Sequence, residues 1–114
     1  MLKTIHKRTR EDIMSSGKKR VVLDNYAIFI EEQGTDPKSD DRYKPKVAAG
    51  FVSGHPKFPN GSKIQTARLV WYDVSQGIAA TENTIYLLGE PDKEYKNYME
   101  SLGLKAGSFQ EDVA

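Results

Sequence analysis

Between residues 63 and 74, Ile64, Thr66, Arg68, Val70 and Tyr72 interleave with Gln65, Ala67, Leu69, Trp71 and Asp73. A repeat of two belongs to a β-strand, whose successive side chains leave opposite faces. The stretch predicts one extended strand over 63–74. Ser75-Gln76-Gly77 then supplies a turn, and residues 78–81 and 84–88 read as strands on either side of Glu82-Asn83. Residues 63–88 are therefore expected to form a meander of two or three antiparallel strands.

Two further strands are expected ahead of the meander. Over 20–32, Tyr26, Ile28 and Ile30 share one face while Ala27 and Phe29 take the other, so this strand is expected to be covered on both sides. Asp24-Asn25 predicts a bulge or tight turn that splits it. Residues 47–53 predict a short strand. The polar stretch 33–46 reads as an exposed loop, and Asn60-Gly61 predicts a tight turn because both residues tolerate positive φ.

Helices are expected at both ends. Over 9–17, Thr9 caps, Glu11 and Asp12 suit the positive end of the dipole, and Gly17 stops the helix. Over 92–102, Tyr95, Tyr98, Met99 and Leu102 recur at i, i+3, i+4 and i+7, after Pro91 and Asp92. Gly103 closes this helix, with Leu104 placed for the apolar contact of a Schellman ending. Residues 105–114 read as a frayed, flexible tail. The expected class is α+β in one domain over 1–114. It is mainly an antiparallel β-sheet, with a short N-terminal helix and a C-terminal amphipathic helix packed over the meander.

The chain has no Cys, which excludes disulfides and thiolate metal sites. No apolar run is long enough to span a bilayer, and the first residues contain no apolar secretion segment. The expected location is the cytoplasm. Net charge is +1, but residues 1–20 hold seven basic and two acidic side chains against ten and fourteen in the rest. A basic N-terminal end can meet an anion or simply be solvated.

Catalytic patterns are missing. His6 and His55 have no metal-ligand spacing, and no GxSxG elbow occurs. Ser16-Gly17-Lys18-Lys19 lacks the leading glycine and trailing hydroxyl of a phosphate loop. The chain is expected to bind rather than catalyse, with no metal and no cofactor. Arg68 has two readings: an edge residue whose stem packs while its head reaches water, or an anion clamp. Asn83, with Thr84 and Tyr86, can read a nucleobase or ribose edge, or can hold a turn. Phe58 and Tyr86 offer stacking faces, His55 is a loop or pocket residue, Lys19 and Arg20 can contact an anion, and Thr66 shares the Arg68 face. Together these nine residues are the candidate ligand site.

Gly54-His55-Pro56-Lys57-Phe58-Pro59-Asn60-Gly61 through Ile64-Gln65-Thr66-Ala67-Arg68, followed by Thr81-Glu82-Asn83-Thr84-Ile85-Tyr86-Leu87-Leu88-Gly89, resembles short β-rich proteins encoded by phages and prophages. In size and layout the chain is most similar to anti-defence sponges of the Thoeris anti-defence kind. The resemblance implies a homo-oligomer in an infected bacterial host. It would sequester a cyclic ADP-ribose-type or cyclic-oligonucleotide signal without turnover. The expected ligand is thus a small phosphorylated nucleotide. Two other readings stay open: a protein-binding inhibitor of a defence nuclease, and a nucleic-acid binder using residues 3–20.

Overall fold

The computed structural model describes residues 10–31 and 44–110. Helix α1 is short, Arg10–Met14, and Gly17 takes a φ of 78° just beyond it. Strand β1, Lys19–Ile30, buries Val21 and Leu23, then Tyr26 and Ile28. The odd-to-even switch needs one extra residue. Asn25, at φ 52°, supplies it as a bulge between Asp24 and Ala27, where sequence predicted a bulge or turn. The bulge keeps all four apolar side chains on one face. Gly50 lies opposite, and a Cβ there would stand 2.6 Å from the Asp24 carbonyl oxygen.

Strand β2, Lys46–Ser53, pairs antiparallel with β1. The expected strand over 63–74 is divided into β3, Lys63–Gln65, and β4, Trp71–Asp73. Strands β5, Ile78–Ala80, and β6, Thr84–Leu88, complete a six-stranded sheet in the order β3-β2-β1-β6-β5-β4. Pairing is antiparallel except between β1 and β6, which run parallel. The meander therefore holds for β4, β5 and β6, whereas β3 stands at the opposite edge.

Thr66 divides the strand. Its main-chain N–H donates to the Ala48 carbonyl at 2.8 Å, and its hydroxyl oxygen accepts from the Ala48 N–H at 3.0 Å. A side chain thus takes the place of a main-chain acceptor in the ladder, and the backbone is released to turn away. Three residues later, Leu69 N–H donates to Lys46 on β2 and Val70 N–H to Ala80 on β5, both at 2.8 Å. Consecutive Cα atoms are about 3.8 Å apart, but three strand spacings span roughly 14 Å in a flat sheet. The sheet is therefore rolled until its edges meet across residues 66–70.

Rolling gives an inside and an outside. The inside holds Val21, Leu23, Tyr26, Ile28, Ala48, Val52, Ala79, Tyr86 and Leu88, with Val74. On the outside, Ile13 of α1 packs with Ile78, Ala80 and Ile85, flanked by Trp71 and Phe109. Each large side chain buried in this way contributes roughly 1.5–3 kcal/mol.

Helix α2, Lys93–Ser101, starts at Asp92, whose carboxylate accepts from the Tyr95 N–H at 3.1 Å. It ends as its sequence predicted. Gly103 has φ 74°, its N–H donates to Glu100, and the Leu104 N–H donates to Met99. Its placement differs from expectation. It lies against β1 rather than over the meander, with Tyr95 edge-on to Tyr26 at 5.9 Å, and none of its residues is fully buried.

Residues 105–110 also differ from the expected tail. Gly107 N–H donates to Val74, Phe109 N–H to Leu88, and the buried Tyr26 hydroxyl to the Gly107 carbonyl, all within 3.0 Å. Arg10 adds its guanidinium over the Phe109 ring and a bond to the Gln110 carbonyl. This segment is a clasp that ties the 3₁₀ turn Val74–Gln76 to β1 and β6. The remainder of the expected tail, residues 111–114, lies outside the described residues, as do Lys3, Lys7 and Arg8 of the basic end.

Candidate functional site

Two expected site residues are spent on the fold. Thr66 is buried as the latch described above, and its own hydroxyl hydrogen goes to the Ala67 carbonyl at 2.7 Å. Tyr86 points into the core at 5% exposure, where burial pushes its hydroxyl pKa up. It offers no stacking face to solvent.

The others fall at opposite ends of β1. Parallel pairing sets Lys19 beside Thr84, Lys18 Nζ donates to the Thr81 carbonyl at 2.9 Å, and Asn83 is exposed in the turn between them. Arg20 is committed at this end to the Met14 carbonyl, 2.9 Å away. The loop carrying His55 and Phe58 leaves β2 after Ser53, opposite Val22, so it lies toward the same end. His55 Nδ1 accepts from the Lys57 N–H at 3.0 Å and its ring stands 4.7 Å from Phe58. Arg68 belongs to the far end of β1, beside Glu31. Its Nε meets the Glu31 carboxylate at 2.6 Å, with 62% of the side chain exposed. An ion pair at such exposure is worth at most about 1 kcal/mol.

A concavity lies at that far end, and different residues build it. The floor is Ile28, Ile30 and Val74; the walls are Tyr72 of β4 and the free side of α2, with Leu102 and Leu104 beyond it. Its volume is about 490 Å³, and Lys46 stands among the lining residues. The i, i+3, i+4, i+7 stripe of α2 explains the wall. Tyr95 and Met99 pack against the core, while Tyr98 and Leu102 remain 59% and 54% exposed. Tyr72 and Leu104 add 42% and 53%. So many large apolar side chains open to solvent in one place mark a binding surface more often than a solvated face.

The tyrosines set the groove's polarity. The Tyr95 hydroxyl is pushed from 10.0 up to about 12, first by burial and then by the neighbouring Tyr72 and Tyr98 phenols. The Ile28 backbone hydrogen bond pulls the other way. The Tyr26 hydroxyl is also pushed up, chiefly by burial. Both groups stay protonated in the fold at pH values where an unfolded tyrosine ionises. Stability is therefore full below about pH 10 and falls as pH rises from about 10 through about 12. Urea midpoints across that window check this, with a shallower decline expected in Tyr95→Phe. A flat profile in the parent chain contradicts it.

The groove escaped sequence reasoning because its residues read as core. One signal was available. Tyr95, Tyr98, Met99, Leu102 and Leu104 are more apolar bulk than so short a helix can hide against one small sheet. Compared with protein families, curated proteins and solved structures, the chain matches none.

Proposed function

We propose that this chain is a non-enzymatic binding protein that takes up a small amphipathic molecule in the tyrosine-lined groove between α2 and the rolled sheet. The observation that carries the reading is the exposure of Tyr72, Tyr98, Leu102 and Leu104 around one concavity. Its volume falls in the usual range for small-molecule sites, roughly 300–1,000 Å³. The walls stand on a capped helix and a rolled sheet, so little ordering entropy is lost on binding. In the setting that the phage resemblance implies, such binding would sequester its ligand.

A second reading keeps the phosphorylated nucleotide as ligand. It is favoured by the pairing that sets Lys19 beside Thr84, with Asn83 exposed next to them. Titration followed by amide chemical shifts separates the two. The panel is cyclic nucleotides, ADP-ribose isomers and apolar alcohols. Shifts at Tyr72, Tyr98 and Leu104, lost about tenfold or more in affinity with Tyr98→Ser, support the groove. Shifts confined to Lys19, Asn83 and Thr84 support the nucleotide reading. Silence across the panel at both places sinks both.

A further inference from the structure

We propose that the outer face of the β2–β3 hairpin is a platform for single-stranded nucleic acid, on which Phe51 and Phe58 stack bases while Lys63 and Lys57 meet phosphates. The surface shares no residue with the groove and does not rest on it.

Helix α1 covers only part of the outside of the rolled sheet. Its Ile13 sits with Ile78, Ala80 and Ile85, whereas Val22 of β1, Phe51 of β2 and Lys63 of β3 stay exposed. Register puts these three on one face. Val22 pairs with Ser53, Asp24 with Phe51 and Phe51 with Lys63, and residues opposite one another share a side of the sheet. Asp24 is the carboxylate in that register. Its Oδ1 accepts from the Glu90 N–H at 2.8 Å, which holds it on the far side of β1 from Lys63. Arg20, two residues before Val22, adds positive charge and is bonded to a carbonyl, that of Met14.

The hairpin carries an exposed aromatic ring with a lysine next to it twice. Across the strands, Lys63 Nζ stands 6.0 Å from the centroid of the Phe51 ring. Along the loop, exposed Lys57 precedes exposed Phe58, whose ring lies 4.7 Å from that of His55. Among the described residues neither ammonium meets a carboxylate. The loop is held in shape: Val52 N–H donates to Ser62, Gly61 N–H to Val52 and Gly54 N–H to the Asn60 side chain, all within 2.9 Å.

A nucleotide is the complement of such a pair. Its base has a flat π-face that stacks on phenylalanine whatever the sequence, and its phosphate accepts from an ammonium. A repeating partner suits a repeated pair. In a duplex the bases already stack on one another, so the free faces belong to an unpaired strand. An acidic peptide would answer the lysines but would bring no flat faces to the two rings.

The test is fluorescence anisotropy of the full chain with a labelled oligothymidylate of about 12 nucleotides. An abasic strand and a duplex of equal length and an oligoglutamate are the comparisons. Oligothymidylate is expected to bind tightest. Phe51→Ala should lose affinity for it about fivefold or more. Phe58→Ala carries the same expectation should Phe51→Ala fail to fold. Lys63→Gln should lower the slope of log affinity against log salt by roughly 0.7, whereas Lys93→Gln on α2, the same change in net charge, should leave it as it was. Equal binding of the abasic strand, the duplex or oligoglutamate overturns the proposal, as does an equal salt slope in the two lysine variants. No anisotropy change with oligothymidylate at low salt overturns it outright and leaves the groove reading standing.

Discussion

Gly77→Ala is expected to lower the unfolding free energy by on the order of 4 kcal/mol, an effect reserved for a few mechanisms. Two act here together. Gly77 closes the 3₁₀ turn at φ 73°, a left-handed conformation that costs a residue with a Cβ roughly 1–2 kcal/mol. In addition, its Cβ would stand 2.2 Å from the Phe109 nitrogen and 2.4 Å from the Ser108 carbonyl carbon. Both are backbone atoms, so no side chain can swing aside. Relief requires moving the clasp and losing the Phe109 to Leu88 and Gly107 to Val74 bonds. Gly61→Ala is the control. Gly61 has φ 87° but nothing within 4 Å of a Cβ, so only the conformational cost is expected. Urea unfolding of both variants reads the difference through the midpoint at unchanged slope. Equal losses would mean that the close approach of the clasp is of no consequence.

A chain ending at Ala106 is expected to lose its cooperative fold at room temperature. Deletion strands the Tyr26 hydroxyl, whose residue is 0% exposed, and the Leu88 carbonyl, each left without its bond. An unsatisfied buried polar group costs about 1–3 kcal/mol. Phe109 leaves the outer cluster, where it packs beside Ile78 and Ile85, and Arg10 loses its ring and carbonyl partners. The sum is of the same order as the whole stability of a small domain, roughly 5–15 kcal/mol. Near-ultraviolet circular dichroism and thermal melting check it. A truncated chain melting within a few degrees of the parent would show the clasp to be dispensable.

Both predictions concern a segment that sequence reading took for a tail, and the reason is instructive. Lys105 to Gln110 has no period and few apolar residues. Its holding bonds run from main-chain groups to Val74, Leu88 and Tyr26, partners that are remote in sequence. Main-chain groups are the same in every residue, so nothing in the side chains announces them.

Short-range structure was legible in the amino-acid order. Helix α2 begins at Asp92 and ends at Gly103 because a carboxylate cap and a left-handed glycine act within one turn. The β1 bulge arises at Asp24-Asn25 because Asn tolerates positive φ. The alternation over 63–74 indicated strand correctly only at Lys63–Gln65 and Trp71–Asp73. Long-range packing made Thr66 divide that chain, set β3 and β4 at opposite edges, and paired Arg68 with Glu31. It also decided that half of the α2 stripe would face a groove rather than a core. One cause underlies each case. A period tells which side a residue faces relative to its neighbours in the chain. Whether that side meets solvent, sheet or ligand depends on where the rolled sheet carries it.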